Sequence, residues 1–134
     1  MSPPENKLVA QRLMEEGWNG RNFAVVAEIV GPEHVFHDPS GPQLGTGPEA
    51  YINRMKLYAG ALDTHFTIED LIAEGDRVVV RWTVRGRHNL NLTGITIHRF
   101  KNGKILESWG NWDQLGMMQQ LKEARAPHKA RQRA

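Results

Sequence analysis

The chain has 134 residues, 40% of them hydrophobic and 24% charged, with a formal net charge of +2 and no cysteine. Such a chain is long enough for one globular domain with a buried core, and the lack of cysteine excludes disulfides, thiolate metal sites and cysteine nucleophiles. No apolar run approaches bilayer length and the opening MSPPENK has no apolar signal core, so a cytoplasmic protein is expected.

The first segment, SPPE, predicts a helix start: Ser2 as cap, Pro3 in the first turn and Glu5 completing a capping box. Leu8 or Val9, then Leu13, Met14 and Trp18, continue at helical spacing until Gly17 and Gly20. A second short helix, NFAVVAEIV, is capped by Asn22 and expected to stop at Gly31-Pro32. HVFHD reads as a brief strand and PSGPQLG as a loop. Thr46 and Glu49 repeat the capping-box pattern before a third helix with Ile52, Met55, Tyr58 or Ala59, and Leu62 on one side.

Beyond residue 62 the period changes from 3.6 to 2. THFTIEDLIAEG alternates, EGD is a turn, and RVVVRWTVRG places Val78, Val80, Trp82 and Val84 on one face. LTGITIHRF is another strand, joined through the Asn102-Gly103 turn to KILESWGNW, and a last helix begins near Asp113. Helices followed by a meandering sheet predict a single α+β domain over residues 1–121, the helices packed on one face of a curved sheet. From residue 122 onward five basic side chains accompany only Glu123, a net charge of +4, which leaves −2 on residues 1–121. That basic tail, 122–134, is expected to be extended or frayed rather than a nucleic-acid arm, so neither nucleic acid nor a membrane is an expected partner.

The chain contains no phosphate-binding loop, dinucleotide glycine fingerprint, HExxH or GxSxG. His34 and His37 are three apart, but residues three apart on a strand point to opposite faces, so no metal site is expected there. Acid–base chemistry remains. His37, His98 and Asp113 each lie in or beside an apolar strand, where a polar group must be hydrogen-bonded or functional. If the last strand is regular, Ile105, Glu107, Trp109, Asn111 and Asp113 share a face, which would put Trp109 and Asp113 in one cavity while Trp112 faces away. The alternatives stay open: Asp113 as a helix cap, His98 as a core histidine bonded to backbone, and His37 as part of the HDPSG turn. Trp82 and the methionines also read as core.

The segments GWNGRNFAVVAEIVGPEHVFHDPSG, EDLIAEGDRVVVRWTVRGRH and GITIHRFKNGKILESWGNWDQLGMMQQL, in that order and spacing, resemble the SnoaL-like polyketide cyclases and ester cyclases. The resemblance implies the cone-shaped α+β barrel of the nuclear-transport-factor-two-like superfamily, with a strongly curved, mostly antiparallel sheet around one apolar pocket. It further implies a homodimer or homotetramer, and an intramolecular aldol condensation on a carbonyl-rich, apolar or aromatic small molecule, with no cofactor and no metal. The matching acid/base carboxylate falls on Asp113, with the His37-Asp38 pair and His98 where pocket polar groups are expected. Met14, Trp18, Met55, Trp82, Trp109 and Met117 are the expected substrate-facing residues. The alternatives are another acid–base reaction in the same pocket, such as hydration, dehydration or hydrolysis, and a non-catalytic binding module. An enzyme should bring Asp113 and a histidine together on a cavity, whereas a binding module would turn Asp113 outward as a cap. One departure is visible: only NLNL separates His88 from Thr93, where family members carry a longer hairpin, so a tight turn or shorter strands and a lower pocket rim are expected.

Overall fold

The computed structural model describes residues 2–125. Helix α1, Pro3–Arg12, opens with the expected capping box, in which Ser2 Oγ accepts from the Glu5 amide and Glu5 accepts from the Ser2 amide. It continues as a wider π-helical stretch, Leu13–Asn19. Helix α2, Phe23–Ile29, is capped by Asn22, whose side chain accepts from the Val25 amide. Helix α2 ends at Ile29, just before the Gly31-Pro32 pair expected to stop it. Strand β1, Val30–His37, carries the chain through that pair, with its ladder to β5 interrupted between Val30 and Val35. Proline is tolerated there because β1 is an edge strand.

Helix α3, Gly47–Met55, extends as a π-helical stretch over Lys56–Gly60. The capping box expected at Thr46 does not form, since Thr46 makes no side-chain cap bond. Entry to this helix is set instead by Gly47 at φ +84°, where a Cβ would stand 2.8 Å from the Pro32 carbonyl oxygen. Only glycine allows both that dihedral and that approach.

Strands β2 (His65–Glu74), β3 (Arg77–Gly86), β4 (Leu90–Lys101) and β5 (Lys104–Trp112) complete a five-stranded mixed sheet in the order β1-β5-β4-β3-β2. β1 pairs with β5 in parallel and the other pairings are antiparallel. The sheet has two edges and is not closed into the barrel that was expected, although the α+β class holds. β3 and β4 pair from Arg77–Arg99 to Gly86–Leu90 across the turn 87–89, where His88 and Asn89 both have positive φ. The short segment therefore makes a tight turn without shortening either strand.

The face predicted for β3 is the buried one: Val78, Val80, Trp82 and Val84 pack with Leu13, Val26, Met55 and Ile105 between sheet and helices. On β5 the expected parity fails. Arg99 pairs with Glu107 but Phe100 pairs with Ile105, so Leu106 is an extra residue in the ladder. Such a bulge moves every later side chain to the other face. Ser108, Gly110 and Trp112 consequently turn inward, and Glu107, Trp109 and Asn111 turn outward. Helix α4 spans Gln114–Arg125, so Lys122 and Glu123 are helical rather than part of an extended tail. The rest of that expected tail, 126–134, lies outside the described residues. None of the described helices is long and apolar enough to cross a membrane.

Candidate functional site

Between the inner face of the sheet and helices α1 and α3 lies a cavity of about 80 Å³. Leu13, Met14 and Trp18 wall it from the first helical segment, and Tyr51, Arg54 and Tyr58 from the third. Phe66, Trp82, Val84, Leu92, Thr96, His98 and Trp112 line it from the strands. Most of its polar wall groups are already engaged. Trp18 Nε1 donates to the Tyr51 hydroxyl at 2.9 Å and Trp82 Nε1 donates to Thr96 Oγ1 at 3.0 Å, leaving mainly aromatic and aliphatic surface toward the interior. Burial pushes the Tyr51 phenol up to about 12, so it stays neutral.

Besides the Tyr58 hydroxyl, three polar groups break this apolar wall. His98, on β4, is 4% exposed, and burial depresses its pKa to about 3, with His34 lowering it further. Its Nδ1 lies 2.7 Å from Ser108 Oγ, and no hydrogen bond joins its Nε2 to another side chain among the described residues. Arg54, on α3, is buried in an ion pair with Asp38, and its guanidinium lies 4.1 Å from the centre of the Phe36 ring. Asp38 also accepts from Trp112 Nε1 at 3.1 Å and from the Ser40 amide at 2.8 Å. A buried carboxylate is tolerated when it is this fully bonded. The third group, Thr64 Oγ1, is buried with no hydrogen-bond partner among the described residues. The cavity thus offers an apolar ligand one neutral imidazole from the sheet and one guanidinium from the helix.

The family model for SnoaL-like polyketide cyclase matches residues 8–121. The chain belongs to that family. Among solved structures, a candidate polyketide cyclase from Acidithiobacillus ferrooxidans is similar with TM-score 0.82 and 27% identity, covering 92% of this chain and 99% of its own. Another candidate polyketide cyclase, from Bacillus cereus, has TM-score 0.79 and 28% identity, covering 88% of this chain and 80% of its own. An NTF2-like protein from Cytophaga hutchinsonii shares the fold, with TM-score 0.70 and 15% identity over 84% of this chain and 94% of its own. No curated protein matches the chain.

In this SnoaL-like chain the residues singled out from sequence divide sharply. Met14, Trp18, Trp82, His98 and Met117 line the cavity. Met55 does not; it is fully buried in the core below. Trp109 does not either, because the bulge at Leu106 puts it on the outer face, stacked on His37 with ring centres 5.5 Å apart. His37, on β1, shares that outer face, its Nε2 2.7 Å from Glu107 Oε2.

Asp113 is exposed and its Oδ1 accepts from the Gly116 amide at 2.8 Å, the geometry of a cap on α4. The expectation that Asp113 and Trp109 share a cavity is therefore corrected: strand parity does not survive to residue 113. Among the described residues no group of three or more His, Asp or Glu could hold a metal ion.

The site also contains residues that the sequence reading did not single out. Arg54 was hidden among helical residues, although Tyr51, Arg54 or Met55, and Tyr58 recur at helical spacing and signal one polar-aromatic face. Asp38, expected as a turn former and with His37 among the pocket polar groups, does not line the cavity itself but pairs with Arg54, which does. Trp112 was assigned to the wrong face, Ser108 was not singled out, and His34 was weighed only as a metal ligand.

Proposed function

We propose that the protein is a cofactor-independent cyclase or isomerase that closes a ring in a small, carbonyl-rich, polyketide-like substrate by aldol-type acid–base chemistry. The observation that carries this reading is His98, a neutral imidazole with a free Nε2 on the wall of an apolar cavity. A C–H bond between two carbonyls gives its proton to His98 Nε2, and its electron pair moves into an enolate. The enolate carbon attacks a ketone of the same molecule, forming the C–C bond as the C=O π bond opens to an alkoxide. That alkoxide takes the proton back from His98. The Arg54 guanidinium, at the same cavity, offsets the negative charge that passes between the two oxygens. Holding both ends of the substrate between the aromatic walls supplies proximity, and a placed imidazole contributes on the order of 10²–10⁴-fold.

A second reading, a small-molecule-binding module without catalysis, is favoured by one observation: Asp113 turns outward as a cap. The two separate with 2-tetralone, an apolar ketone whose α-protons exchange with D2O. Catalysed exchange that is lost in His98→Gln supports the cyclase reading. Saturable binding of 2-tetralone without any acceleration of exchange supports the binding module and sinks the first reading.

A further inference from the structure

His98 does not stand alone. Ser108 Oγ, on β5, lies 2.7 Å from His98 Nδ1 and 2.9 Å from His34 Nε2, on β1. The three groups are 4%, 0% and 2% exposed and come from three adjacent strands. His34 also lines a second, small cavity of about 10 Å³ with Phe36, Leu44, Gly45, Ala50, Tyr51 and Arg54, the last already paired with Asp38. That is about the room of a single water, and Leu44 beside it is exposed at the surface. The three side chains thus span the wall between the main cavity and a side cavity.

We propose that His34 and Ser108 act with His98 as a proton relay, carrying a proton from substrate in the main cavity to water in the side cavity and returning it when the product oxygen needs it. The inference rests on His98 being the base of the proposed reaction.

Hydrogen-bond counting sets how the relay works. A serine hydroxyl has one proton to donate, and each neutral imidazole has one N–H. Ser108 Oγ is sealed from solvent and has no hydrogen-bond partner besides the two rings among the described residues, so its proton goes to one ring and it accepts from the other. If His34 Nε2–H donates to Ser108, then Ser108 donates to His98 Nδ1 and the His98 proton sits on Nε2. If the direction reverses, both rings carry the proton on Nδ1, and His98 Nε2 is bare toward the main cavity. The two rings are tied to the same tautomer, and the second arrangement is the one poised to accept.

When His98 Nε2 takes the substrate proton, its Nδ1 proton passes to Ser108 Oγ and the Ser108 proton passes to His34 Nε2. The His34 Nδ1 proton then leaves to water at the side cavity. One proton enters and one leaves: within the three side chains three N–H or O–H bonds break as three form, and the substrate C–H bond that breaks is matched by the O–H bond formed at the water. No imidazolium has to persist in the apolar interior, which both rings strongly disfavour through burial. Ser108 and His34 are positioning residues in this scheme, since neither lines the main cavity.

The test combines ring-nitrogen NMR with 2-tetralone exchange in D2O, on the wild-type chain, His98→Gln, Ser108→Ala and His34→Gln. Expected are one shared tautomer for His34 and His98 in the wild type, and decoupled tautomers in Ser108→Ala. Exchange should fall on the order of tenfold to a hundredfold in both relay variants. His34→Gln keeps a hydrogen-bonding amide beside Ser108 but cannot pass a proton, so it carries the test if Ser108→Ala does not fold. Finding opposite tautomers in the wild-type rings overturns the relay. So does wild-type exchange in Ser108→Ala and His34→Gln while His98→Gln is inactive, a result that leaves the cyclase reading standing. Absence of exchange in the wild type overturns both.

Discussion

Strands β1, β4 and β5 present two polar clusters back to back, built from neighbouring residues. On the inner face, His34, Ser108 and His98 are sealed from solvent and governed by burial, which holds His34 near 4 and His98 near 3. On the outer face His37, Glu107 and Arg99 form a half-exposed array in which Arg99 Nη2 lies 2.9 Å from Glu107 Oε1. There charge and hydrogen bonding dominate: His37 first, and Arg99 after it, lower the Glu107 pKa. A single backbone step separates Glu107 from Ser108 and Arg99 from His98. What those residues do is decided by which side of a pleated sheet each one meets, because solvent screens one side and is excluded from the other.

Acid should separate the two faces most strongly. His34 and His98 have folded values below the ordinary 6.5, so the unfolded chain binds more protons as pH drops. Their stabilising contribution is complete above 6.5 and is lost as pH falls toward the folded values. Each ring steepens the decline by up to about 1.4 kcal/mol per pH unit within that window. Glu107 acts with the same sign but only below its ordinary 4.5, and solvent screens it. Urea unfolding between pH 7 and 4 should therefore show a steep loss in the wild type and a shallower one in His98→Gln. Equal slopes in the two proteins would mean that burial is not what sets the inner face.

Neutral pH should separate them by substitution. Ser108→Ala leaves two buried ring nitrogens without a partner, at about 1–3 kcal/mol apiece. Glu107→Gln, across the sheet, should cost about 0–1 kcal/mol, and less as salt rises. Denaturant midpoints of the two variants at low and high salt make the comparison. A salt-sensitive loss in Ser108→Ala would contradict the inner face being sealed.

The two tryptophans of WGNW give a finer contrast. Trp112 lines the cavity and donates to Asp38, whereas Trp109 stacks on His37 outside. Trp112→Phe removes one donor from a buried carboxylate and should cost about 1–3 kcal/mol while weakening 2-tetralone binding several-fold. Trp109→Phe should stay within about 1 kcal/mol and leave that binding unchanged. Calorimetric titration of both variants reads the difference.

That contrast also shows what sequence could and could not convey. The alternation Val78, Val80, Trp82, Val84 was legible because β3 keeps its pairing with β4 without interruption. The Asn102-Gly103 turn was legible because its chemistry is local, with both residues at positive φ. The faces of Trp109 and Trp112 were not, because one extra residue, Leu106, inverts them, and a bulge answers to the partner strand rather than to its own residues. Arg54 and Asp38, sixteen residues apart, meet only after α3 folds against β1. The same holds for His34 and Ser108, which belong to a parallel strand pair joined through most of the chain.

Asp113 offers the smallest predicted effect and the sharpest discrimination of face. As a cap it needs only an acceptor for the Gly116 amide, which asparagine provides nearly as well. Asp113→Asn should leave stability within a few tenths of a kcal/mol and 2-tetralone exchange unaltered, while Asp113→Ala should cost about 1 kcal/mol. Gly116 gives an independent check. A Cβ there would collide with Asp113 Oδ2, so Gly116→Ala displaces the carboxylate that caps the helix. Alanine in a helix gains about 1 kcal/mol over glycine, and loss of the cap removes about as much, so the net change should be near zero. In the Asp113→Ala background the clash is absent, and Gly116→Ala should then stabilise by nearly the full helix-propensity gain. That non-additivity, read from four midpoints, is the signature of a carboxylate held against its own helix. A carboxylate turned into the cavity would give additive changes and a loss of exchange in Asp113→Asn.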